Sequence, residues 1–162
     1  MACKAMGADT IVAVDIFDSR LEKAKVLGAD YVVNSQKVDC ASAIYEIMGG
    51  HGADIIFETA GSPTTLKMAP SLCKSAGTIM MVGNIFGEVS FNFWEIAHRE
   101  IVLMGIYRYC NDYPLAIRLA AQGRVRLKEI VTDIRSFPEV NEAFVQAIHN
   151  KEHTLKSVIK MI

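Results

Sequence analysis

Three stretches carry residues whose types and spacing could hold a ligand. The first is Thr10-Ile11-Val12-Ala13-Val14-Asp15, an apolar run that ends on a carboxylate just before a helix start at Ser19. A carboxylate at a strand's carboxyl end accepts hydrogen bonds from both hydroxyls of an adenosine ribose and repels a 2′-phosphate. An Asp in that place equally begins a turn or caps the next helix, a job for which Asp18 and Ser19 compete. Arg20 offers a planar guanidinium that can lie over an adenine face; beside Glu22, Lys23 and Lys25 it reads as well as a solvated helix charge. The second stretch is Val82-Gly83-Asn84, after a buried strand. A glycine there lets the backbone approach a ligand, and open α/β sheets bind ligands outside their strands' carboxyl ends; a plain turn glycine is the alternative. The third, Arg108-Tyr109 past the strand that ends near Tyr107, pairs a cation with a hydroxyl; a surface Arg and an interface Tyr are the bland reading.

Such an acid normally lies about 20 residues after a G-x-G-x-x-G turn that cradles a pyrophosphate at a helix N-terminus. Only fourteen residues precede Asp15, and the 162 residues contain no such turn. The remaining chemistry-bearing residues are scattered. Cys3, Cys40, Cys73 and Cys110 form no C-x-x-C pair, so reduced thiols of a cytoplasmic protein are expected, with neither a disulfide framework nor a zinc site. His51, His98, His149 and His153 have no H-E-x-x-H spacing, and no metal ligand is assigned among them. Trp94, Phe91 and Phe93 read as packing or interface residues.

These stretches need elements to hold them. With 51% hydrophobic and 22% charged residues and a mean hydropathy of +0.24, the chain is globular and somewhat rich in apolar surface, as if an interface had been lost. A length of 162 residues suits one core of ordinary size. A net charge of -1 gives no broad attraction for nucleic acid or an anionic membrane. No apolar run approaches the roughly 18 residues needed to span a bilayer, and the start does not read as a signal peptide.

Apolar runs alternate with helical patterns, which predicts βα repeats and a parallel sheet with right-handed crossovers and helices on both faces. Strands are expected at 10–15, 31–34, 54–59, 78–82 and 101–107, nearly all apolar as strands covered on both faces should be. Helices are expected at 19–27, where Ser19 and Glu22 have the spacing of a capping box and Gly28 is a stop, at 40–48, and at 63–73, broken or bent near Pro70. Beyond Tyr109 the alternation loosens: a helix at 111–122 capped near Asn111 or Asp112, a strand at 130–135, a helix at 139–149 and a strand at 156–161. This tail has no evident partner in the chain.

In order and spacing these stretches resemble the cofactor half of the zinc-dependent medium-chain alcohol and polyol dehydrogenases. The matches are KAMGADTIVAVD, SRLEKAKVLGAD, DIIFETAG, GTIMMVGN and HREIVLMGIYRYCNDYPLAI, the last resembling the sorbitol (L-iditol) dehydrogenase branch; Phe137-Pro138 to Ala143-Phe144 matches an element of the returning tail. The resemblance covers essentially the whole sequence. It implies an α/β, Rossmann-type doubly wound parallel sheet lacking its first strand and Gly-rich turn, over residues 1–109, and a C-terminal return segment of the catalytic domain over 110–162. The sequence then looks like a C-terminal portion of the enzyme.

By the same resemblance, NAD is the cofactor, with Asp15 on the ribose, Arg20 against the adenine, and Val82, Gly83, Asn84, Ile106, Tyr107 and Arg108 at the nicotinamide end. Arg108 and Tyr109 would also meet the hydroxyls of a polyol or secondary alcohol. The family's catalytic zinc would polarise that alcohol, but its ligands and the catalytic residues lie outside these 162 residues. A homodimer or homotetramer is implied, with the strand ending near Tyr107 and its flanking 91–96 segment pairing across a two-fold axis. Two other readings remain: a non-catalytic nucleotide-binding or assembly module, and a methyltransferase. The second lacks an Asn/Asp-Pro-Pro type of motif where Glu58-Thr59-Ala60-Gly61 stands.

Overall fold

The structure is a computed structural model that describes residues 1–161. In chain order the elements are α1 (Ala2–Ala5), β1 (Val12–Asp15), α2 (Asp18–Val26), β2 (Tyr31–Asn34), α3 (Cys40–Ile47), β3 (Ala53–Glu58), α4 (Pro63–Leu72) and β4 (Cys73–Met81). They continue with α5 (Phe93–His98), β5 (Val102–Gly105), α6 (Tyr113–Ala121), β6 (Asp133–Ser136), α7 (Val140–His149) and β7 (Ser157–Lys160), with short 3-10 turns at Leu127–Ile130 and Phe137–Glu139. The chain is mixed α/β with every paired strand parallel, as its alternating apolar runs require.

Two compact units divide it, one of residues 1–37 with Asp112 onward, the other of Val38–Asn111. In the second unit the strand order is β3-β4-β5, and the register sets Glu58 opposite Met81 and Met81 opposite Gly105. Three parallel strands therefore stop at one level, and the loops that follow them emerge side by side. Ile79 and Cys73, with no exposed surface, pack with Leu66 and Ala69 of α4, Ile96 of α5 and Ile101 to form the core. Asp39 opens α3 by accepting the Ser42 amide at 2.8 Å, and Ser62 opens α4 by accepting the Thr64 amide at 3.2 Å, with Pro63 in the first turn. Helix α4 runs on through Pro70 to Leu72.

The first unit holds two sheets of two strands, β1-β2 and β6-β7. Its β1 and β2 align Asp15 with Asn34. Asp30 ties the entrance of β1 by accepting the Ile11 amide at 2.9 Å and pairing with Lys4 at 3.2 Å, which holds its carboxyl below the usual range, the backbone hydrogen bond being the larger cause.

Several expectations need correction. Ser19 does not cap α2, which begins at Asp18; the Asp15 carboxylate draws in the Ile16 and Phe17 amides at 2.7 and 3.0 Å and tightens the turn, so the helix starts one residue early. The tail does have partners in the chain. The Ser19 hydroxyl donates to the Glu152 carbonyl at 2.8 Å, Arg20 Nε donates to the Lys151 carbonyl at 2.8 Å, Arg126 donates to the Val26 carbonyl at 2.9 Å, and Arg124 donates to the Ala5 carbonyl. Arginines spread along both segments can satisfy carbonyls far away in sequence, which local pattern does not reveal. The last strand of the second unit stops at Gly105: the Ile106 amide still bonds the Met81 carbonyl at 3.0 Å, after which Arg108 takes a left-handed backbone with φ 59°. Strand β4 starts five residues early, because Cys73 already pairs with Ala53 before a register shift, with Ala76 at φ 56°. Finally, Phe93–Ile96, assigned to a flanking pairing segment, lies in helix α5, which Asn92 caps by accepting the Trp94 amide at 3.2 Å.

Candidate functional site

The carboxyl ends of β3, β4 and β5 bring together most of the residues singled out from the sequence. Val82 and Gly83 follow β4, and their amides both donate to the Glu58 carbonyl, at 2.9 and 2.8 Å. Gly83 is pressed against the loop after β3: a Cβ built on it would lie 2.3 Å from the Gly61 nitrogen and 2.6 Å from its Cα. Only a hydrogen fits there, so glycine is what lets the loops after β3 and β4 touch. Asn84 closes the same contact, its carbonyl oxygen 2.9 Å from where a Gly61 Cβ would stand.

Next to it, Ile106, Tyr107, Arg108 and Tyr109 extend from β5. The Arg108 guanidinium lies 5.1 Å from the centre of the Tyr107 ring, a cation–π contact that presents the charge from a ring itself 77% exposed. Tyr109 is also exposed. A cation and two phenols stand in water beside a glycine-lined backbone edge, a setting able to take up hydroxyl groups and anions.

Asp15 and Arg20 belong to the first unit. One Asp15 oxygen is committed to the Ile16 and Phe17 amides, while the other faces the Arg20 guanidinium at 4.0 Å. The two readings of Asp15 are thus compatible: one oxygen shapes the turn, and a carboxylate keeps acceptor capacity on the other. Arg20 is not a freely solvated charge. It donates to the Lys151 carbonyl and to the Thr154 carbonyl at 3.3 Å, and its guanidinium lies 5.6 Å from the Phe17 ring centre.

Two residues to which the sequence assigned no role hold this region together. Glu58 is 4% exposed, a buried acid at the end of an apolar strand. Arg99, at the opposite end of β4, donates to the carbonyls of Pro70 (2.9 Å) and Cys73 and pairs with Glu95 at 3.3 Å. An acid inside DIIFETAG was the available signal for the first; an i,i+4 Glu-Arg pair was the signal for the second.

Among the described residues no three His, Cys, Asp or Glu side chains converge as a metal site would require. Cys40 and Cys73 are buried, which pushes both thiols up and keeps them protonated. The described residues offer no ligand set that fits a catalytic zinc.

The sequence model of the zinc-binding dehydrogenases matches residues 1–122. The chain belongs to that family. This dehydrogenase-family chain is 41% identical over 160 residues to the zinc-type alcohol dehydrogenase-like protein YdjJ of Escherichia coli, covering 99% of this chain and 46% of the relative. It is 36% identical over 159 residues to a sorbitol dehydrogenase of Bacillus subtilis, covering 98% and 45%. Among solved structures, an oxidoreductase/dehydrogenase of unknown specificity from Escherichia coli superposes with a TM-score of 0.95 at 40% identity, covering 99% of this chain and 46% of that one. The dehydrogenase-family chain thus spans about half the length of the curated relatives it matches, and its Rossmann-type α/β class is that of their corresponding portions.

Proposed function

We infer that this chain is the NAD-binding portion of a zinc-dependent polyol or secondary-alcohol dehydrogenase of the sorbitol dehydrogenase type. The observation that carries this reading is the level set of strand ends: the Gly83 backbone, Ile106 and the Tyr107-held Arg108 all emerge at one edge of a parallel sheet. Open α/β sheets bind nucleotides outside such ends. Asp15 supports NAD over NADP, since its outward oxygen suits ribose hydroxyls and opposes a 2′-phosphate. Arg20 lies beside it for the adenine; Val82, Gly83, Asn84, Ile106, Tyr107 and Arg108 would meet the nicotinamide end, and Arg108 with Tyr109 the hydroxyls of the alcohol. When bound, nicotinamide supplies a hydride acceptor. The chain's own residues orient it and exclude water from one face.

Residues 1–109 are assigned to the cofactor domain and 110–162 to a segment that rejoins the catalytic domain of the longer relatives. The four free cysteines support a cytoplasmic place. Among the described residues no helix is long and apolar enough to cross a membrane.

Calorimetric titration with NAD and NADP tests the reading. Binding of NAD that is preferred over NADP, and lost in Asp15→Ala, supports it; equal binding of both overturns the assignment of Asp15. The 162-residue chain purified alone is expected to oxidise no sorbitol, with or without added zinc; turnover free of longer chains overturns that expectation.

A second reading, an assembly module, is favoured by one surface. β5 is an outer strand of its sheet and exposes Val102 and Met104, followed by exposed Ile106 and near in sequence to exposed Phe93 and Trp94 of α5. An unpaired apolar edge of this kind recruits another strand, and a second copy across a two-fold axis would cover it. Met104→Lys should shift sedimentation from dimer or tetramer to monomer; an unchanged profile removes this interface.

A further inference from the structure

The buried acid at the end of β3 has no part in the reading above, yet it touches both loops on which that reading depends. Glu58 Oε1 accepts the Thr65 hydroxyl at 2.6 Å and the Gly61 amide at 3.0 Å, and Gly61 also stands 3.3 Å from Oε2. Thr65 has a single proton and two acceptors in range, the carboxylate and the Ser62 carbonyl at 2.9 Å; the shorter, charge-assisted bond takes it. The backbone carbonyl of Glu58 accepts the Val82 and Gly83 amides. Its Oε2 lies 2.7 Å from the point where a Gly83 Cβ would be. One residue therefore grips the loop after β3 with its side chain and the loop after β4 with its backbone, and the two glycines fill the space between.

No cation pairs with Glu58 among the described residues; its partners are a neutral amide and a neutral hydroxyl. Burying a carboxylate against neutral donors alone is costly, so its presence here calls for a specific geometric return. An exposed or apolar residue would leave the Gly61 amide and the first turn of α4 without a common acceptor. The loop after β3 would then lose its side-chain tie to the strand end, while the loop after β4 would keep the Glu58 carbonyl.

We propose that Glu58 is a positioning residue that clamps the loops 59–62 and 82–84 into one rigid backbone edge, the edge that faces the nicotinamide end of the cofactor. The proposal rests on the assignment of Val82, Gly83 and Asn84 to that cofactor. Glu58 itself does not touch the ligand. The clamp is geometric, so a Gln in its place, whose carbonyl accepts both donors, preserves it.

Amide hydrogen exchange resolved by NMR in the 162-residue chain tests this directly. In Glu58→Ala the Gly61 amide, which loses its side-chain acceptor, should exchange at least about tenfold faster, and the Val82 and Gly83 amides, which keep the Glu58 backbone carbonyl, should accelerate by a smaller factor as the joined loops loosen, while Val14 and Val33 in the first unit keep their rates. Glu58→Gln should restore wild-type rates, and Thr65→Val should give an intermediate increase confined to the same amides. Should Glu58→Ala not fold, Thr65→Val and Glu58→Gln still decide. Uniform acceleration throughout the second unit in Thr65→Val, or no acceleration at all, overturns the clamp, as does a Glu58→Gln variant without restoration. NAD titrated into the wild type separates the two claims: shifts at Val82 to Asn84 that weaken in Thr65→Val and persist in Glu58→Gln support both. Absence of those shifts with the exchange pattern intact overturns the cofactor assignment, and with it the second half of the proposal, while the clamp itself stands.

Discussion

Two strands of this molecule end on an acid, and the two acids work in opposite ways. Asp15 closes β1 half in water, with one oxygen held by its own turn and the other turned toward Arg20. Glu58 closes β3 in the interior, spends its oxygens on Gly61 and Thr65, and leaves nothing for a visitor. A carboxylate at a strand's carboxyl end is thus not a binding residue by position alone. Burial and the number of internal donors decide whether it recognises a ligand or builds the wall the ligand rests against.

The largest break in that wall should come from Gly83→Ala. A methyl group 2.3 Å from the Gly61 nitrogen forces the two loops apart, at a cost of about 2–3 kcal/mol in urea unfolding. Gly105→Ala, whose Cβ would meet only the Met81 Cε at 3.9 Å, should stay within about 0.5 kcal/mol and serves as its control. Equal losses in the two would remove the special standing of the Gly61–Gly83 contact.

Thr65→Val comes next. It deletes one donor from a buried acceptor and should cost about 1–3 kcal/mol by the same measurement. Asp15→Asn sharpens the other half of the comparison: the amide oxygen can still hold the turn, so stability should change by less than about 0.5 kcal/mol. Its preference for NAD over NADP should nevertheless fall about tenfold by calorimetry. A large stability loss in Asp15→Asn would make it a structural acid like Glu58.

The smallest effect is acidic. Asp18, Asp30 and Asp54 all have carboxyls held below their ordinary values, Asp18 and Asp54 chiefly by lysine hydrogen bonds and Asp30 chiefly by the Ile11 amide. A depressed folded value means that each contributes stability above the unfolded carboxylate range near 4, lost as the pH falls through the folded value. The thermal midpoint should therefore slip between pH 5 and about 2, with the lysine-paired share reduced in 1 M salt because these pairs are solvent-exposed. A midpoint that rises on acidification contradicts these assignments.

The acid that faces water was legible in the sequence; the acid that faces inward was not. Five parallel strands announce themselves as near-continuous apolar runs, although β2, β3 and β5 leave Tyr31, Val32, Ile55, Phe57, Val102 and Met104 exposed where cover on both faces was expected, and Asp15 stands out because it ends one of them before a helix start. Glu58 ends another, but its meaning depends on which loop lies across it, and that is set by the β3–β4 register. The same limit hid the partners of Arg20, since carbonyls at Lys151 and Thr154 lie more than a hundred residues along the chain. Helix α5 was missed for a local reason. Phe91-Asn92-Phe93-Trp94 alternates like a strand, while Asn92 as cap and Glu95 in the first turn signalled a helix.

The carbonyls that Arg20 and Ser19 hold, at Lys151, Glu152 and Thr154, impose a timetable on the chain as it is made. Val38–Asn111 is one uninterrupted stretch, so all of its contacting residues have been made before the tail is. The first unit cannot be completed at that point, because half of it is not yet synthesised. Translation at roughly 5–20 residues per second leaves α2 waiting several seconds for the turn around Glu152, with a long loop still to close. Helix α2 is thus secured long after it is made, and in that interval a chaperone or protease meets the unit carrying Asp15 before its hydrogen bonds to residues 151–154 exist.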